Sequence, residues 1–257
     1  MDFSGKVVLI TGASSGIGAA TAVYFAKLNA TLALVGRNVA NLNQVASDCE
    51  TVGSIKPLIL VADVTKEEDN ERVIAEVVEK LGKLDVLVNN AGKGASGSIE
   101  TTTMEQYDDI MRTNVRSVFQ LTKLAVPHLI RSKGNVVNVS SVAGQRSFPN
   151  FLAYCVSKAA IDQFTRCTAL ELAPKQVRVN AVNPGVIVTN FHREAGMDED
   201  TYKLYLKRCE ETHALGRVGQ GSEVAAAIAF LAGENTASFT TGVCLCVDGG
   251  KHAMCPR

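Results

Sequence analysis

A tyrosine and a lysine stand four positions apart in the stretch 154–158, which reads Tyr-Cys-Val-Ser-Lys. The apolar residues that follow recur at spacings typical of a helix, on which positions i and i+4 share one face about 5 to 6 Å apart at Cβ. The ammonium of Lys158 is therefore expected to lower the pKa of Tyr154 from its ordinary value of about 10 toward neutral pH. The pair predicts general acid–base catalysis, although this short pattern alone is more typical of an ordinary amphipathic helix start.

The elements around this pair alternate between short β-branched runs and longer helical patterns. Strands are predicted at 6–11, 31–35, 57–62, 84–89, 135–140, 177–183 and 243–247. Helices are predicted at about 17–29, 38–52, 66–81, 103–131, 152–173 and 222–232. Continuously apolar strands separated by helices imply a parallel sheet covered by helices on both faces. The sequence therefore predicts a single α/β domain over residues 1–257, built on a doubly wound, seven-stranded parallel sheet.

The composition excludes several classes of partner. The chain of 257 residues carries 26 acidic and 26 basic side chains, so neither nucleic acid nor an anionic membrane is an expected partner. Its apolar runs are shorter than a membrane span and its N-terminus is too polar for a signal peptide, which predicts a soluble, cytoplasmic protein. The seven cysteines show no C-x-x-C or Cys/His ligand spacing, so reduced structural thiols and no metal are expected.

A glycine-rich loop joins the first predicted strand to the first predicted helix. Residues 11–18 read Thr-Gly-Ala-Ser-Ser-Gly-Ile-Gly. Glycines at such a turn let the backbone approach a phosphate, and the first N–H groups of the helix then face the anion. A dinucleotide pyrophosphate would fit this loop. The spacing G-x-x-x-G-x-G differs from the common G-x-G-x-x-G fingerprint, so a structural glycine turn is the alternative.

Further motifs follow the glycine loop in order. They are Asn-Asn-Ala-Gly at 89–92, Ser141, the Tyr154/Lys158 pair and Asn-Pro-Gly at 183–185. Together with the glycine loop, these motifs resemble the short-chain dehydrogenase/reductase family over essentially the whole chain. The resemblance implies a Rossmann-type fold, a nicotinamide dinucleotide cofactor and hydride transfer to or from a carbon atom that carries oxygen.

The resemblance implies that Asn114, Ser141, Tyr154 and Lys158 are the catalytic residues. Tyr154 would exchange a proton with the substrate oxygen, to which Ser141 would donate a hydrogen bond. Lys158 would lower the pKa of Tyr154 and bind the nicotinamide ribose, and Asn114 would hold a water that links Lys158 to solvent. Without the tyrosine that follows it, Ser141 would be interpreted as a strand-end serine that satisfies backbone groups.

The resemblance also implies a set of cofactor-binding residues. They are Gly12, Ser14, Ser15, Gly16, Ile17, Gly18, Arg37, Asn38, Asp63, Val64, Asn90, Ala91, Gly92, Tyr154, Lys158, Pro184, Gly185, Ile187 and Thr189. Asp63 would contact the adenine amino group, although an aspartate there could equally cap the helix predicted from 66. The segment 184–189 would lie over the nicotinamide, although its proline and glycine also suit a plain turn.

The end of the second predicted strand bears on the choice of cofactor. An acidic residue at this place accepts the ribose 2′-OH of NAD, but here Gly36 occupies it and Arg37 follows. Arg37 could bind the 2′-phosphate of NADP, so NADP(H) is expected to be preferred and NAD(H) to be the weaker cofactor. An arginine exposed between strand and helix is the alternative. Ser15 stands where many NADP-using relatives carry a basic residue, which predicts modest discrimination.

The stretch at about 184–221 lacks a predicted strand and is expected to contain a substrate-binding loop at about 186–215. Its large side chains could wall a medium-sized apolar pocket or form the core face of a short helix. They are Phe191, His192, Tyr202, Leu204 and Tyr205. His192 and His213 have no partner at ligand spacing, so both are expected to be solvent-exposed loop histidines.

The expected activity is reversible hydride transfer between NADP(H) and a small-molecule carbonyl or secondary alcohol, such as an apolar ketone, a steroid, a terpenoid or a xenobiotic carbonyl. The alternatives are a 3-oxoacyl thioester reductase of the same family and a non-catalytic NADP(H)-binding sensor protein.

Apolar residues on more than one face of the helices near 103–131 and 152–173 predict a homotetramer, with a dimer second. Those residues are Val118, Leu121, Leu124, Ala125, Ile161, Phe164 and Ala169.

Overall fold

The computed structural model describes residues 1–53, 55–189 and 198–254. Its strands are β1 Val7–Thr11, β2 Thr31–Gly36, β3 Leu58–Val61, β4 Val86–Asn89, β5 Asn135–Val139, β6 Arg178–Pro184 and β7 Cys244–Val247. They form one parallel sheet in the order β3-β2-β1-β4-β5-β6-β7. This arrangement confirms the predicted doubly wound, seven-stranded α/β fold.

Helices cover both faces of the sheet. They are α1 Gly16–Lys27, α2 Val39–Gly53, α3 Glu67–Leu81, α4 Met104–Met111, α5 Ser117–Ser132, α6 Leu152–Leu172, α7 Glu199–Glu211, α8 Gly221–Ala232 and α9 Glu234–Ala237. Val8 and Ile10 of β1 belong to a buried cluster with α1, α2 and α8. Val7 and Leu9 belong to a second cluster with α3, α5 and α6. Alternate residues of a strand point to opposite faces, so the core has two layers with the sheet between them.

The strand order changes direction between β1 and β4. These two strands pair side by side, with Val8 opposite Val86, and the later strands continue outward on either side. In open α/β sheets the loops at such a point diverge, and ligands bind in the crevice that opens at the carboxyl ends of the strands. The glycine loop follows β1, Asn90 follows β4 and Ser141 follows β5, so the fold brings the predicted motifs to one edge.

The helix predicted over 103–131 is interrupted in the structure. α4 ends at Met111, a π-helical turn covers Arg112–Arg116 and α5 begins at Ser117. A π-turn inserts one extra residue and is frequent at functional sites. The spacing of apolar residues does not reveal the one residue that the π-turn adds, because the apolar face of the predicted helix continues after the turn. The π-turn contains Asn114, one of the predicted catalytic residues.

The stretch at 184–221 contains a helix, which the sequence pattern indicated only as the alternative to a pocket wall. Asp198 caps α7 by accepting the backbone N–H of Thr201 at 2.9 Å. The buried residues of this helix are Tyr202 and Cys209. So few buried residues do not produce a clear helical period of apolar residues in the sequence. The local signal was the acidic cluster at its start, which favours a helix N-terminus.

The cysteines of the described residues are unpaired, as expected for reduced thiols. Cys49 and Cys209 are buried, whereas Cys167 is exposed, so it is not a core thiol as the sequence suggested. Cys255 lies outside the described residues. Across the described ranges, no helix combines the length and the apolar character needed to cross a bilayer.

Candidate active site

A cavity of about 690 Å³ opens where the strands end, and most of the predicted site residues line it. They are Gly12, Ser14, Ser15, Gly16, Ile17, Arg37, Asp63, Val64, Asn90, Ala91, Gly92, Ser141, Tyr154, Lys158, Pro184, Gly185, Ile187 and Thr189. Gly18, Asn38 and Asn114 are not part of its lining. The fold thus brings together residues that are separated by more than half of the chain.

The glycine loop between β1 and α1 leaves no space for side chains. Gly12 has a φ of +63°, and a Cβ there would lie 2.9 Å from the Cα of Ala91. A Cβ at Gly18 would lie 2.2 Å from the carbonyl oxygen of Gly12, so Gly18 supports the loop from behind. α1 begins at Gly16, and no described side chain caps it or places an acid in its first turn. Its first N–H groups therefore fit an anion such as a pyrophosphate.

Asn90 fastens the end of β4 to the glycine loop. Its Nδ2 donates to the carbonyl oxygens of Thr11 at 2.8 Å and of Gly12 at 3.1 Å. The Thr11 hydroxyl accepts the backbone N–H groups of Asn90 and Ala91, both at 3.0 Å. These bonds fix the spacing between the ends of β1 and β4, where the crevice opens.

Ser141, Tyr154 and Lys158 meet at the cavity from two elements. Ser141 follows β5 and accepts the N–H of Ala143 at 3.1 Å, which caps the short turn after the strand. Ser141 and Tyr154 share a side-chain hydrogen bond. Lys158, one turn further along α6, donates to the Val139 carbonyl at 2.9 Å, and its Nζ lies 5.6 Å from the centre of the Tyr154 ring. A hydroxyl, a phenol and an ammonium are thus held within one part of the cavity.

The expectation that the pKa of Tyr154 is lowered toward neutral pH is wrong for this geometry. Burial raises the pKa of Tyr154 to about 12, and the hydrogen bond from Ser141 offsets only part of that rise. The ammonium of Lys158 lies against the ring and bonds a backbone carbonyl, and its attraction for a phenolate does not outweigh the effect of burial. Burial also lowers the pKa of Lys158 to about 8, against the opposing influence of Asp162. At neutral pH, Tyr154 is therefore protonated and Lys158 is mostly charged.

Asn114 lies one layer behind the cavity wall, in the π-turn. Its Nδ2 donates to the Lys93 carbonyl at 2.9 Å and to the Ser157 hydroxyl at 3.1 Å, and its Oδ1 accepts the Lys93 N–H at 2.9 Å. A Cβ at Gly92 would lie 3.3 Å from that Oδ1 and 3.6 Å from the Nζ of Lys158. Asn114 and Lys158 therefore flank Gly92. The water-holding role of Asn114 stays a prediction.

Asp162 is a site residue that the sequence analysis missed. It is 2% exposed, and both of its carboxylate oxygens accept from the Nδ2 of Asn183, at 3.1 and 2.9 Å. The same Nδ2 donates to the Ser141 carbonyl at 2.8 Å. Burial raises the pKa of Asp162, and hydrogen bonds from Ser140 and Asn183 oppose the rise. Its four-residue spacing from Lys158 on one helix face was the signal that could have identified it.

His213 is buried, not solvent-exposed as the sequence predicted. It is 3% exposed, its Nδ1 bonds the Cys209 carbonyl at 2.6 Å and its Nε2 accepts the Val186 N–H at 3.1 Å. A carbonyl can only accept, so we assign the hydrogen to Nδ1 and a neutral ring, in keeping with burial that lowers its pKa. His213 joins the end of α7 to the segment after β6. Its partners are backbone groups, which residue spacing cannot reveal.

The end of β2 presents Gly36 and Arg37 to the cavity. Among the described residues, no carboxylate oxygen lies within 4.0 Å of the Arg37 guanidinium. A Cβ at Gly36 would lie 3.2 Å from the Oγ of Ser14. Asn38 points elsewhere, because its Oδ1 accepts the N–H of Asn41 at 3.0 Å at the start of α2. Of the two predicted residues that follow Gly36, only Arg37 therefore faces the cavity.

Asp63 lines the cavity and does not cap α3, which was the alternative interpretation. Its Oδ1 accepts the N–H of Thr65 at 3.0 Å and the Thr65 hydroxyl at 2.8 Å, whereas Lys66 holds the N-cap position of α3 without a side-chain bond. Burial raises the pKa of Asp63, but the two Thr65 bonds and the charges of Arg37 and Lys66 outweigh it and hold that pKa below its ordinary value.

The loop expected at about 186–215 supplies part of the wall, although not with all the predicted side chains. Tyr205 lines the cavity. Tyr202 is buried on α7 and donates to the Thr189 carbonyl at 3.1 Å, which fits the alternative of a helix core face. Leu204 is 70% exposed, so neither interpretation holds for it. Phe191 and His192 lie outside the described residues. Further apolar wall, which the sequence analysis missed, comes from Phe148, Pro149 and Phe151.

Cys246, Asp248 and His252 bring ligand atoms within 4.8 Å of one another, a grouping that linear spacing did not indicate. The carboxylate of Asp248 accepts the N–H groups of Gly250 at 3.1 Å and His252 at 2.6 Å, and the His252 ring lies 2.9 Å from it. These contacts stabilise the turn that follows β7.

Comparison with known proteins adds evidence from whole sequences. The family model described as "Enoyl-(Acyl carrier protein) reductase" matches residues 12–252. The 3-oxoacyl-[acyl-carrier-protein] reductase FabG of Thermotoga maritima is 38% identical over 252 residues, which cover 97% of this chain and 99% of that protein. Glucose 1-dehydrogenase of Gluconobacter oxydans is 38% identical over 250 residues, which cover 96% of this chain and 92% of that protein.

Solved structures agree with the sequence matches. A short-chain dehydrogenase/reductase of unknown function from Caenorhabditis elegans, solved with cofactor, has a TM-score of 0.93 at 36% identity and covers 98% of this chain and 97% of its own. Levodione reductase has a TM-score of 0.93 at 30% identity, and the match covers 98% of this chain and 100% of that chain. The chain therefore belongs to the short-chain dehydrogenase/reductase family, oxidoreductases that use NAD(H) or NADP(H) on alcohol and carbonyl groups.

Proposed function

We propose that this chain is an NADP(H)-dependent oxidoreductase that reversibly transfers a hydride between the cofactor and a carbonyl or secondary alcohol. The observation that carries the proposal is the meeting of Ser141, Tyr154 and Lys158 in a cavity that also contains the glycine loop. The cavity thus combines a loop that can bind a dinucleotide with a proton donor and a hydrogen-bond donor. A protein that only binds the dinucleotide has no use for the last two.

The bound dinucleotide supplies or takes up the hydride. In the reducing direction, Tyr154 gives its proton to the oxygen that develops negative charge, and its raised pKa keeps that proton in place at neutral pH. Ser141 donates a hydrogen bond to the same oxygen and stabilises the charge. Lys158 stabilises the phenolate left on Tyr154, and Asn114 holds the water through which the proton is replaced.

The remaining predicted residues hold the cofactor. Gly12 to Gly18 and the start of α1 take the pyrophosphate, because the backbone there is close-packed, lines the cavity and begins a helix whose first N–H groups no described side chain caps. Asp63 and Val64 take the adenine. Asn90 to Gly92 and Lys158 take the ribose on the nicotinamide side. Pro184 to Thr189 cover the nicotinamide ring, held by the pairing of Ile187 with Gly219.

The cofactor preference is proposed from Arg37. Its guanidinium lines the cavity and can offer a planar fork of donors to the 2′-phosphate of NADP. We expect Arg37→Ala to lower kcat/KM with NADPH by roughly ten- to a hundredfold, since a charge-assisted bond contributes about 1.5–3 kcal/mol, and to change kcat/KM with NADH little. Equal losses with both cofactors, or a wild type that uses NADH as well as NADPH, would contradict the assignment.

The substrate is proposed to be a carbonyl compound with an apolar portion, because Phe148, Phe151 and Tyr205 line the cavity beyond Tyr154. The second candidate is a 3-oxoacyl thioester, supported by the 38% identity to a 3-oxoacyl-[acyl-carrier-protein] reductase. A panel of ketones, diketones and 3-oxoacyl thioesters, with NADPH absorbance as the readout, tests both. Cofactor binding without turnover of any carbonyl would support a non-catalytic sensor instead.

A further inference from the structure

Lys251 is a cation in the cavity wall that the proposed chemistry does not use. It stands in the short turn after β7 and lines the cavity together with Thr212 and Phe148. Its Nζ donates to the Oγ1 of Thr212 at 2.9 Å and lies 5.6 Å from the centre of the Phe148 ring. The ammonium is therefore held in place between a hydroxyl and an aromatic face.

The charge of Lys251 has no carboxylate partner among the described residues, since no Asp or Glu oxygen lies within 4.0 Å of its Nζ. Asp248 acts on it from a greater distance and already bonds the N–H groups of Gly250 and His252. Lys251 is half-buried, and burial lowers its pKa although Cys209 and Asp248 oppose the change. A partly desolvated, unpaired cation is costly, and an incoming anion would recover that cost.

The position of Lys251 separates it from the cofactor phosphates. Lys251 follows β7, whereas Arg37 follows β2, and five strand intervals lie between these strands in the sheet order. At about 4.8 Å per interval, the two strand ends are about 24 Å apart. The end of β5, which precedes Ser141, is two intervals from β7, or about 10 Å. Lys251 is therefore within a small molecule's length of Ser141 and is remote from Arg37.

A second cation lines the same cavity. Arg208 belongs to α7, four residues before Thr212, the residue that Lys251 contacts. Within the described ranges, Arg208 forms no ion pair. Apolar side chains of Phe148 and Tyr205 line the same cavity. This part of the cavity combines an apolar wall with two cations that no carboxylate of the described residues pairs with.

We propose that Lys251, assisted by Arg208, binds a carboxylate of the substrate, so that the enzyme acts on carbonyl compounds that carry a carboxylate beyond an apolar spacer. The inference rests on the proposed function, because it names the substrate class of the same site. The two intervals between β5 and β7 imply a spacing of roughly 10 Å between the reacting oxygen and the Lys251 ammonium, which a substituted aromatic ring or a medium-length acyl chain can span.

Matched acids and esters test this inference. With NADPH, kcat/KM is measured for para-acetylbenzoate and its methyl ester, and for 7-oxooctanoate and its methyl ester. We expect wild type to prefer each acid by about tenfold or more, and Lys251→Met to lower kcat/KM for the acids by roughly ten- to a hundredfold while the esters change less than about twofold. Lys251→Arg should keep the preference. Lys207→Met, which removes an exposed charge from α7, is the control and should leave both ratios unchanged.

Binding separates failure of this inference from failure of the proposed function. Para-acetylbenzoate is titrated calorimetrically into wild type and Lys251→Met, each saturated with NADP, after thermal melts show that the variant is folded; Lys251→Gln replaces it if it is not. Binding that depends on Lys251, with no turnover of any ketone, would support the carboxylate site and contradict the proposed function. Equal rates for acids and esters in wild type, or equal losses for both in Lys251→Met, would overturn the carboxylate site.

Discussion

Burial shifts the pKa values of the two titratable side chains at the centre of the candidate site in opposite directions. It stabilises the neutral form of each, and so it raises the pKa of Tyr154 to about 12 and lowers the pKa of Lys158 to about 8. The phenol consequently keeps its proton across the neutral range, whereas the charge on Lys158 depends on pH. A protonated tyrosine suits the reduction of a carbonyl better than the oxidation of an alcohol at neutral pH.

The rate of carbonyl reduction should therefore fall on the alkaline side. Below about pH 8, Lys158 is charged and stabilises the phenolate that forms on Tyr154; above it, the neutral amine no longer does so. We expect reductive kcat/KM to decline above about pH 8 while Tyr154 itself stays protonated. A pH profile with saturating NADPH measures this. A reductive kcat/KM that stays constant up to about pH 10.5, the ordinary pKa of lysine, would contradict the assignment to Lys158.

Residue types and spacing predicted which side chains meet at the cavity but not the electrostatics between them. Tyr154 and Lys158 do share one face of α6, as a four-residue spacing requires. The direction of the pKa shift at Tyr154 depends on how many atoms of other elements surround the phenol, and on the bond that turns Lys158 toward Val139. Both are products of tertiary packing, which a local spacing does not contain.

At the scale of elements, hydrogen bonds join β5 and the residue after it to α6, directly beside the reacting groups. The ammonium of Lys158 donates to the carbonyl of Val139, and the Ser140 hydroxyl donates to the carbonyl of Lys158 at 3.2 Å. Asn183 of β6 bridges the carboxylate of Asp162 on α6 and the carbonyl of Ser141. These bonds hold the predicted serine at a fixed distance from the predicted tyrosine.

Asp162 is expected to act as a positioning residue in this arrangement. Asp162→Ala leaves the amide of Asn183 without its carboxylate partner, so kcat should fall by roughly tenfold and the melting temperature should drop, in line with about 1–3 kcal/mol for an unsatisfied buried group. Asp162→Asn, which keeps one acceptor, should restore much of both.

The pH profile distinguishes positioning from a purely structural role. Asp162 raises the pKa of Lys158, so Asp162→Asn should move the alkaline decline of reductive kcat/KM to lower pH. An unchanged profile in a folded Asp162→Asn variant would show that the carboxylate has no electrostatic influence on Lys158.

The doubly wound parallel sheet followed from the sequence because buried parallel strands are continuously apolar and alternate with helices. The π-turn did not follow, and α7 was indicated only as an alternative. The π-turn at Arg112–Arg116 changes the register of one turn without changing the apolar face, and α7 has few buried residues. His213 was predicted wrongly and Asp162 was missed because partners that hold them, the Val186 N–H and the Asn183 amide, come from other segments of the chain.

At the scale of the whole molecule, the surfaces of α5 and α6 bear on assembly. Most of the apolar residues from which a tetramer was predicted are buried within the chain, including Leu121 and Ile161, and cannot form an interface. Other apolar side chains are exposed, among them Phe119 at 57% and Leu170 at 77%. The Phe119 ring lies 5.9 Å from that of Phe164, between centroids, so the two helices present a shared aromatic patch.

We propose on this basis that the chain assembles as a homotetramer, with α5 and α6 in one interface. Multi-angle light scattering at micromolar concentration is expected to give four times the 27.3 kDa chain mass. Phe119→Glu, which places a charge in the patch, should reduce the assembly to dimers or monomers. Lys27→Glu, at an exposed position of α1 on the other side of the sheet, is the control. A wild type that elutes as a single 27.3 kDa species would rule the tetramer out.

The central claim is that Tyr154 delivers a proton to a substrate oxygen while the cofactor delivers a hydride to the adjacent carbon. The most direct measurement is single-turnover reduction of a ketone with NADPH deuterated at its transferable position, in wild type and in Tyr154→Phe. We expect deuterium at the carbinol carbon of the product, a rate lower by roughly 10² to 10⁴ in the variant, and equal NADPH dissociation constants for both proteins. A variant rate within a few-fold of wild type, or a product without deuterium, would contradict the claim.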